Sequence, residues 1–182
     1  ARFDEWHSDG QFAWVFDNEN DSLDLYAVVV GFDLGYLLKE TQCKTPALMY
    51  LLYRAEQALE NERGMLFCDE GWLYLDDEYF RASINDWSRT PRKMNNIFGL
   101  ATQAANDTVH SAISKTINES AFSKIFFPNS SADRKIHIDD LGLTESEYEI
   151  VKTLADDQHY FLFVHGRGLN KESVVLTVNL QG

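Results

Sequence analysis

An α/β fold is predicted by three features of the 182-residue sequence. Short apolar runs of strand length recur along it, segments of helical periodicity lie between them, and the last two runs flank a Gly-rich turn. Apolar strands alternating with helices predict a mostly parallel sheet flanked by helices, and the closing pair predicts an antiparallel β-hairpin at its edge.

Residues 1–24 alternate between polar and aromatic, with Trp6, Phe12, Trp14 and Phe16 interrupted by Gly10 and an acidic run at 17–21, and read as a loop-rich lead-in. Residues 26–33 read as a strand buried on both faces, β-branched at its centre and ending in Asp33. A helix is predicted over 45–63. Thr45 caps it, Pro46 sits in its first turn, Leu48, Leu51, Leu52, Ala55 and Leu59 form its apolar stripe, and Gly64 stops it. Residues 65–69 form the next strand, and Gly71, Trp72, Leu73, Tyr74 and Leu75 continue from it.

A helix over 78–90 follows, with Phe80, Ile84 and Trp87 on one side, and Pro91 ends it. Residues 97–101 are a strand ending in Thr102 and Gln103. Val109, Ile113 and Ile117 are spaced for a helix, and 124–127 read as a strand stopped by Pro128 and Asn129. Thr144 with Glu147 is a capping box, and Leu143 with Tyr148 is placed as a hydrophobic staple, so a helix starts at 145 and runs to about 155. Strands at 160–165 and 173–180 flank the 166–171 turn.

The composition, 45% hydrophobic and 25% charged, is that of an ordinary globular domain. A net charge of −13 argues against a broad nucleic-acid-binding face, which carries basic excess; a local DNA contact is kept only as a weak third reading. Cys43 and Cys68 supply neither a disulfide framework nor a zinc spacing, which fits a reducing compartment. The five histidines show no ligand spacing. The longest apolar run, 26–32, is about a third of the ~20 residues needed to span a bilayer, and no signal peptide is visible. A first residue Ala1 without Met suggests a segment of something longer.

The stretch with most chemistry in it is Met65-Leu-Phe-Cys-Asp-Glu70. Ligands in α/β sheets bind outside the carboxyl ends of the strands, where Asp69 and Glu70 emerge. Paired acids there suit phosphate and metal chemistry, one holding Mg²⁺ through water and the next orienting or deprotonating an attacking water. The same pattern also fits a helix N-cap or a solvated turn. Thr102-Gln103 and Pro128-Asn129 end further strands, and in a parallel sheet all three ends share one edge. Gln103 there could sense a phosphate or hold the attacking water, or serve as a turn residue. Arg89, Arg92 and Lys93 suit an arginine finger aimed at a neighbour's phosphates, or a solvated basic turn. No G-x-x-x-x-G-K-[ST] loop occurs anywhere.

In this order, Gly31-Phe-Asp33, the run Pro46 to Arg54, Asp69-Glu-Gly-Trp72, Arg92-Lys-Met-Asn95, Ala101-Thr-Gln103 and Pro128-Asn129 resemble the VirB/TrbE/CagE-type ATPases of bacterial conjugation and type IV secretion. The resemblance runs through essentially the whole chain, including the opening run Phe12 to Asn18 and the closing Leu143-Thr-x-x-Glu147. It implies a RecA-like ATPase domain, related to the HerA and FtsK motors. This chain would be its C-terminal portion, lacking the phosphate-binding loop that lies upstream. It also implies the Walker B role for Asp69 and Glu70, the sensor role for Gln103 and a finger role for Arg92. ATP would be the nucleotide and Mg, held by Asp69 through water, the metal, with Arg89, Lys93 and Asn129 as further nucleotide contacts. The parent would be an ATP hydrolase, self-associating as a hexamer with other secretion components at the cytoplasmic face of the inner membrane. Where the family commonly has Lys-Thr-Leu-Arg-Lys-Lys-Asn, this chain has Arg89-Thr-Pro-Arg-Lys-Met-Asn95. The segment alone is expected to hydrolyse little ATP. The alternative is a non-catalytic interaction module that docks with secretion components, suggested by the acidic surface and the aromatic first 20 residues.

Overall fold

A computed structural model describes residues 3–25, 27–35, 41–60, 62–71, 78–89, 95–110, 114–155 and 159–179. The chain divides into two compact units, 1–68 with 73–100 and 69–72 with 101–182.

In the first unit, the lead-in holds a short helix α1, Ala13–Phe16. Three of its aromatic residues pack internally, while Phe3 and Trp14 are exposed. Trp6 packs on Phe12 and Phe16 with ring centroids 5.0 and 5.5 Å apart, and Phe16 meets Tyr50 edge-on at 5.9 Å. Tyr50 donates to Asp21 at 2.6 Å, and Arg54 pairs with Asp21 and donates to the Leu23 carbonyl at 3.0 Å. Both partners lie on α2, Thr41–Leu59, so the lead-in is fastened to that helix.

Helix α2 starts four residues before the expected Thr45 cap, leaving Pro46 inside it. The reason is Cys43, fully buried with Ala47, Leu48 and Leu52, which extends the apolar stripe a turn upstream. Burial there outweighs the proline's lost hydrogen bond. The helix ends at Leu59, earlier than expected, because Asn96 clamps its exit. Its Nδ2 donates to the Leu59 carbonyl at 3.1 Å, and its Oδ1 accepts from the Gly64 amide at 2.8 Å. A Cβ at Gly64 would collide with the Leu59 side chain.

Strand β1, Met65–Cys68, pairs in parallel with β2, Ile97–Leu100. Helix α3, Glu78–Arg89, lies between them in sequence. Phe80 and Ile84 are buried as the periodicity predicts, and Trp87 donates to Glu56 and meets Phe98 edge-on. The strand expected over 26–33 does not form. Residues 27–35 hold no strand, and Val28 and Val29 are 103% and 87% exposed; residue 26 lies outside the described residues. A β-branched run has strand propensity, but without a neighbouring ladder its amides and carbonyls gain nothing over water.

The second unit opens with α4, Ala105–His110, and α5, Ser114–Ser120, where the spacing had suggested one helix; Ile113 lies outside the described residues. Strand β3, Ser123–Phe126, is followed by a π-helical turn, Ile136–Asp140, and by α6, Glu145–Thr153. Strands β4, Tyr160–His165, and β5, Glu172–Thr177, complete a sheet in the order β3-β4-β5, antiparallel throughout. The expectation of a mostly parallel sheet is therefore corrected: the described strands make one parallel pair and a separate antiparallel sheet of three. Helix α6 packs on only one face of that sheet, and one-sided covering is the habit of antiparallel sheets.

Its core is Ala132, Leu143, Tyr148, Val151, Leu162 and Val164. The capping box forms as read. Thr144 accepts from the Glu147 amide at 3.3 Å, and the Glu147 carboxylate accepts from the Thr144 amide at 2.7 Å. Leu143 and Tyr148 are both buried, as a staple requires. Thr144→Ala is expected to cost about 1 kcal/mol of stability, read as faster amide exchange in α6.

Candidate functional site

The β1–β2 register sets the site. Cys68 stands opposite Leu100, so the carboxyl ends of the two strands are level, with neighbouring strands about 4.8 Å apart. Asp69 and Glu70 leave one end, Thr102 and Gln103 the other, and all four belong to the second compact unit. Asp69 is exposed, and its Oδ1 accepts from the Glu70 amide at 3.1 Å, which leaves Oδ2 facing solvent chemistry. Glu70 is half-buried at φ 50°, in the left-handed region that costs an ordinary residue roughly 1–2 kcal/mol. The tight turn after β1 holds it there.

Gln103 is exposed and makes no hydrogen bond among the described residues. The turn into α4 is made instead by Thr102, whose Oγ1 accepts from the Ala104 amide at 3.3 Å and donates to its carbonyl at 3.2 Å. The hydroxyl takes the capping work and leaves the Gln103 amide open.

The third strand end differs from expectation. Asn129 follows β3, which belongs to the antiparallel sheet, so two of the three expected ends share an edge through pairing and the third does not. Asn129 serves a turn: Oδ1 accepts from the Ser131 amide at 3.0 Å, and its own amide donates to the Val151 carbonyl at 2.9 Å. Arg89 is the last residue of α3, and its side chain lies outside the described residues, as do Arg92 and Lys93.

No protein-family model matches the chain. It is 35% identical over 182 residues to the type IV secretion system protein virB4 of Bartonella quintana, covering all of this chain and 23% of that protein. It is 33% identical over 174 residues to the type IV secretion system protein PtlC of Bordetella pertussis, covering 95% and 21%. A virB4 protein of Rhizobium radiobacter is 33% identical over 152 residues, with 84% and 19% covered. The chain belongs to the VirB4 family. The family-level resemblance read from the motifs therefore holds, and the chain spans about a fifth of the length of these relatives.

The VirB4-type chain can be tested for the Mg-nucleotide that its family resemblance implies. Magnesium sites commonly use one or two carboxylates, several waters and the substrate's own phosphates, and an exposed Asp69 with one oxygen uncommitted fits that chemistry. Among the described residues no group of three or more His, Cys, Asp or Glu side chains could hold a metal by itself. Cys68, one residue before the acids, is not a ligand of this kind: burial pushes its thiol up to about 11, so it stays protonated at neutral pH. Iodoacetamide should therefore modify Cys68 in the folded chain roughly a hundredfold more slowly at pH 8 than in the unfolded chain, by mass spectrometry.

Two features of this VirB4-type chain escaped sequence inspection. The turn role of Thr102 was legible in principle, since a Thr three residues before a helix start is a turn signal. His165 was not. It accepts or donates through Nδ1 to Ser123 at 2.9 Å and stands between Phe122 and Phe163, in an open cavity of about 410 Å³ lined also by Glu172, Ser173 and Val174. Only the register, Ser123 opposite His165 and His165 opposite Glu172, brings that polar row together. None of the described helices is long and apolar enough to cross a membrane.

Proposed function

We propose that this chain carries the acid pair and sensor of an ATPase motor that energises type IV secretion. The observation that supports the reading most is the placement of Asp69-Glu70 and Gln103 beyond the level carboxyl ends of two parallel strands. Asp69 would hold a hydrated Mg²⁺. The bound ion supplies charge neutralisation on the phosphate oxygens. Glu70 accepts the proton of the attacking water, and the open Gln103 amide hydrogen-bonds that water and aims it. Arg92, with Arg89 and Lys93 beside it, is the proposed finger toward a neighbouring subunit's phosphates, and the Nδ2 of Asn129 is a further candidate contact. The phosphate-binding loop belongs to another part of the parent, which works as a RecA-like oligomer, a hexamer on this reading, at the inner membrane's cytoplasmic face.

The test is ATP hydrolysis by the parent protein and its Glu70→Gln variant, treated fully below. A second reading, a docking module for other secretion components, draws on the uncovered face of the β3–β4–β5 sheet. Ile125, Phe127, Val174 and Leu176 are exposed on it, and of the lead-in aromatics that first suggested docking, Phe12 is buried while Phe3, Trp14 and Phe16 are exposed. Unchanged hydrolysis in the Glu70 variant would leave this second reading ahead.

A further inference from the structure

The turn between β4 and β5 carries a basic cluster that the hydrolytic reading does not use. Arg167 stands between Gly166 and Gly168, both at positive φ, +85° and +54°. A Cβ at Gly166 would collide with the Asn170 carbonyl, so glycine is required for the chain to fold back this tightly. The turn closes with the Asn170 amide donating to the Arg167 carbonyl at 3.1 Å. Arg167 itself is exposed and pairs with no carboxylate among the described residues.

Behind it, two lysines are fixed by adjacent carbonyls. Lys124 donates to Leu141 O at 2.8 Å and Lys171 to Gly142 O at 2.8 Å. Lys171 also pairs with the buried Glu147. The two lysines thus meet on neighbouring carbonyls, and Arg167 belongs to the same turn as Lys171, whose amide donates to the Gly168 carbonyl; burial, then the charges of Arg167 and Lys171, hold Lys124 below its ordinary range. Glu172, next in sequence, lines the cavity with Ser123 and His165. Three cations therefore stand at this turn beside two carboxylates, Glu147, which pairs with Lys171, and Glu172, which follows it, in a chain whose overall charge is −13.

We propose that this turn is an anion site for a phosphate group, with Arg167 as its contacting residue and Lys124 and Lys171 as the fixed charges behind it. Arg167, exposed and with no carboxylate paired to it among the described residues, leaves positive charge at the turn for an anion. The planar guanidinium supplies two parallel donors to two phosphate oxygens. Lysines already committed to carbonyls do not compete for the anion; they keep the local potential positive. Glu147 sets how much of that potential remains, and the +85° and +54° glycines let the arginine leave the hairpin without a neighbouring side chain in its way. The phosphate can come from a nucleotide or from free phosphate or pyrophosphate, since the chemistry recognised is the same. This site does not depend on the reading of Asp69 and Glu70.

The experiment is a titration of the 182-residue chain with inorganic pyrophosphate and separately with Mg-free ATP, followed by amide chemical shifts. Saturating shifts centred on 166–171 are expected, with Arg167→Gln weakening affinity roughly tenfold. Arg63→Gln, which removes an equal charge from the other compact unit, should leave the affinity within about twofold. Tighter binding of ATP than of pyrophosphate would assign the phosphate to a nucleotide; equal binding would assign it to free phosphates. Absence of shifts at the turn, or equal losses in the Arg167 and Arg63 variants, would overturn the proposal. So would single-stranded DNA that displaces pyrophosphate while shifting residues well outside the hairpin, since an extended polyanion surface would then be the better account.

Discussion

Glu70→Gln in the parent protein is expected to lower the ATP hydrolysis rate by roughly 10²–10⁴-fold, the usual contribution of a positioned general base, while ATP still binds. Glutamine keeps the size of the side chain and the left-handed backbone at φ 50°, but it cannot accept the water's proton. Nucleotide affinity measured on the same sample separates chemistry from binding. Lost turnover with retained affinity fits a base; lost affinity would mean that the residue holds the nucleotide or the turn instead. Turnover unchanged from the parent's would end the nucleotide assignment of the acid pair.

The second large effect concerns stability. Glu147 is the third residue of α6 and serves two structures at once. It closes the capping box with the Thr144 amide, and it binds Lys171 from the β4–β5 turn. Both side chains are largely buried, and Lys171 is also held by Gly142 O. Removing one partner leaves a buried charge unanswered, so Lys171→Met is expected to cost about 3 kcal/mol, and Glu147→Gln a similar amount. The double variant should recover part of the loss, because no unpaired charge remains. With two compact units, a single unfolding midpoint is a poor measure, so exchange of β4 amides is the proper reading. About 3 kcal/mol corresponds to roughly 100-fold faster exchange.

The same pair makes the second unit acid-sensitive. Burial by itself would raise the Glu147 carboxyl, but the hydrogen bonds from Lys171, the Thr144 amide and Ser173 outweigh it and hold the group below its ordinary value of 4.5. A folded value below the unfolded one means that the unfolded chain takes up the proton more readily. The stabilisation is therefore fully present above about pH 4.5 and is lost as pH falls through the lower folded value. β4 exchange in the Lys171→Met variant should show a smaller acid dependence.

Local signals were the most legible. Thr144, Glu147, Leu143 and Tyr148 lie within six residues, and each makes the contact its spacing implies. The stripes of α2 and α3 were legible because a helix satisfies its own backbone. The run 26–33 misled for the complementary reason: its propensity was real, but a strand needs a partner that no local pattern supplies. Thr45 misled because a proline at the first turn is a strong start signal, and the full burial of Cys43 outweighed it.

The acid pair after an apolar strand, the glutamine after the next one and the family to which they point were all determined by sequence, because each depends on residue types in order. Pairing was not. That β1 and β2 run in parallel with level ends, that β3 joins the antiparallel sheet and carries Asn129 into a turn, and that Lys124 and Lys171 meet on neighbouring carbonyls across more than forty residues were decided by tertiary structure. Strand partners and charge clusters are chosen by the free energy of contacts distant in sequence, and such contacts leave no periodicity in the chain to be read.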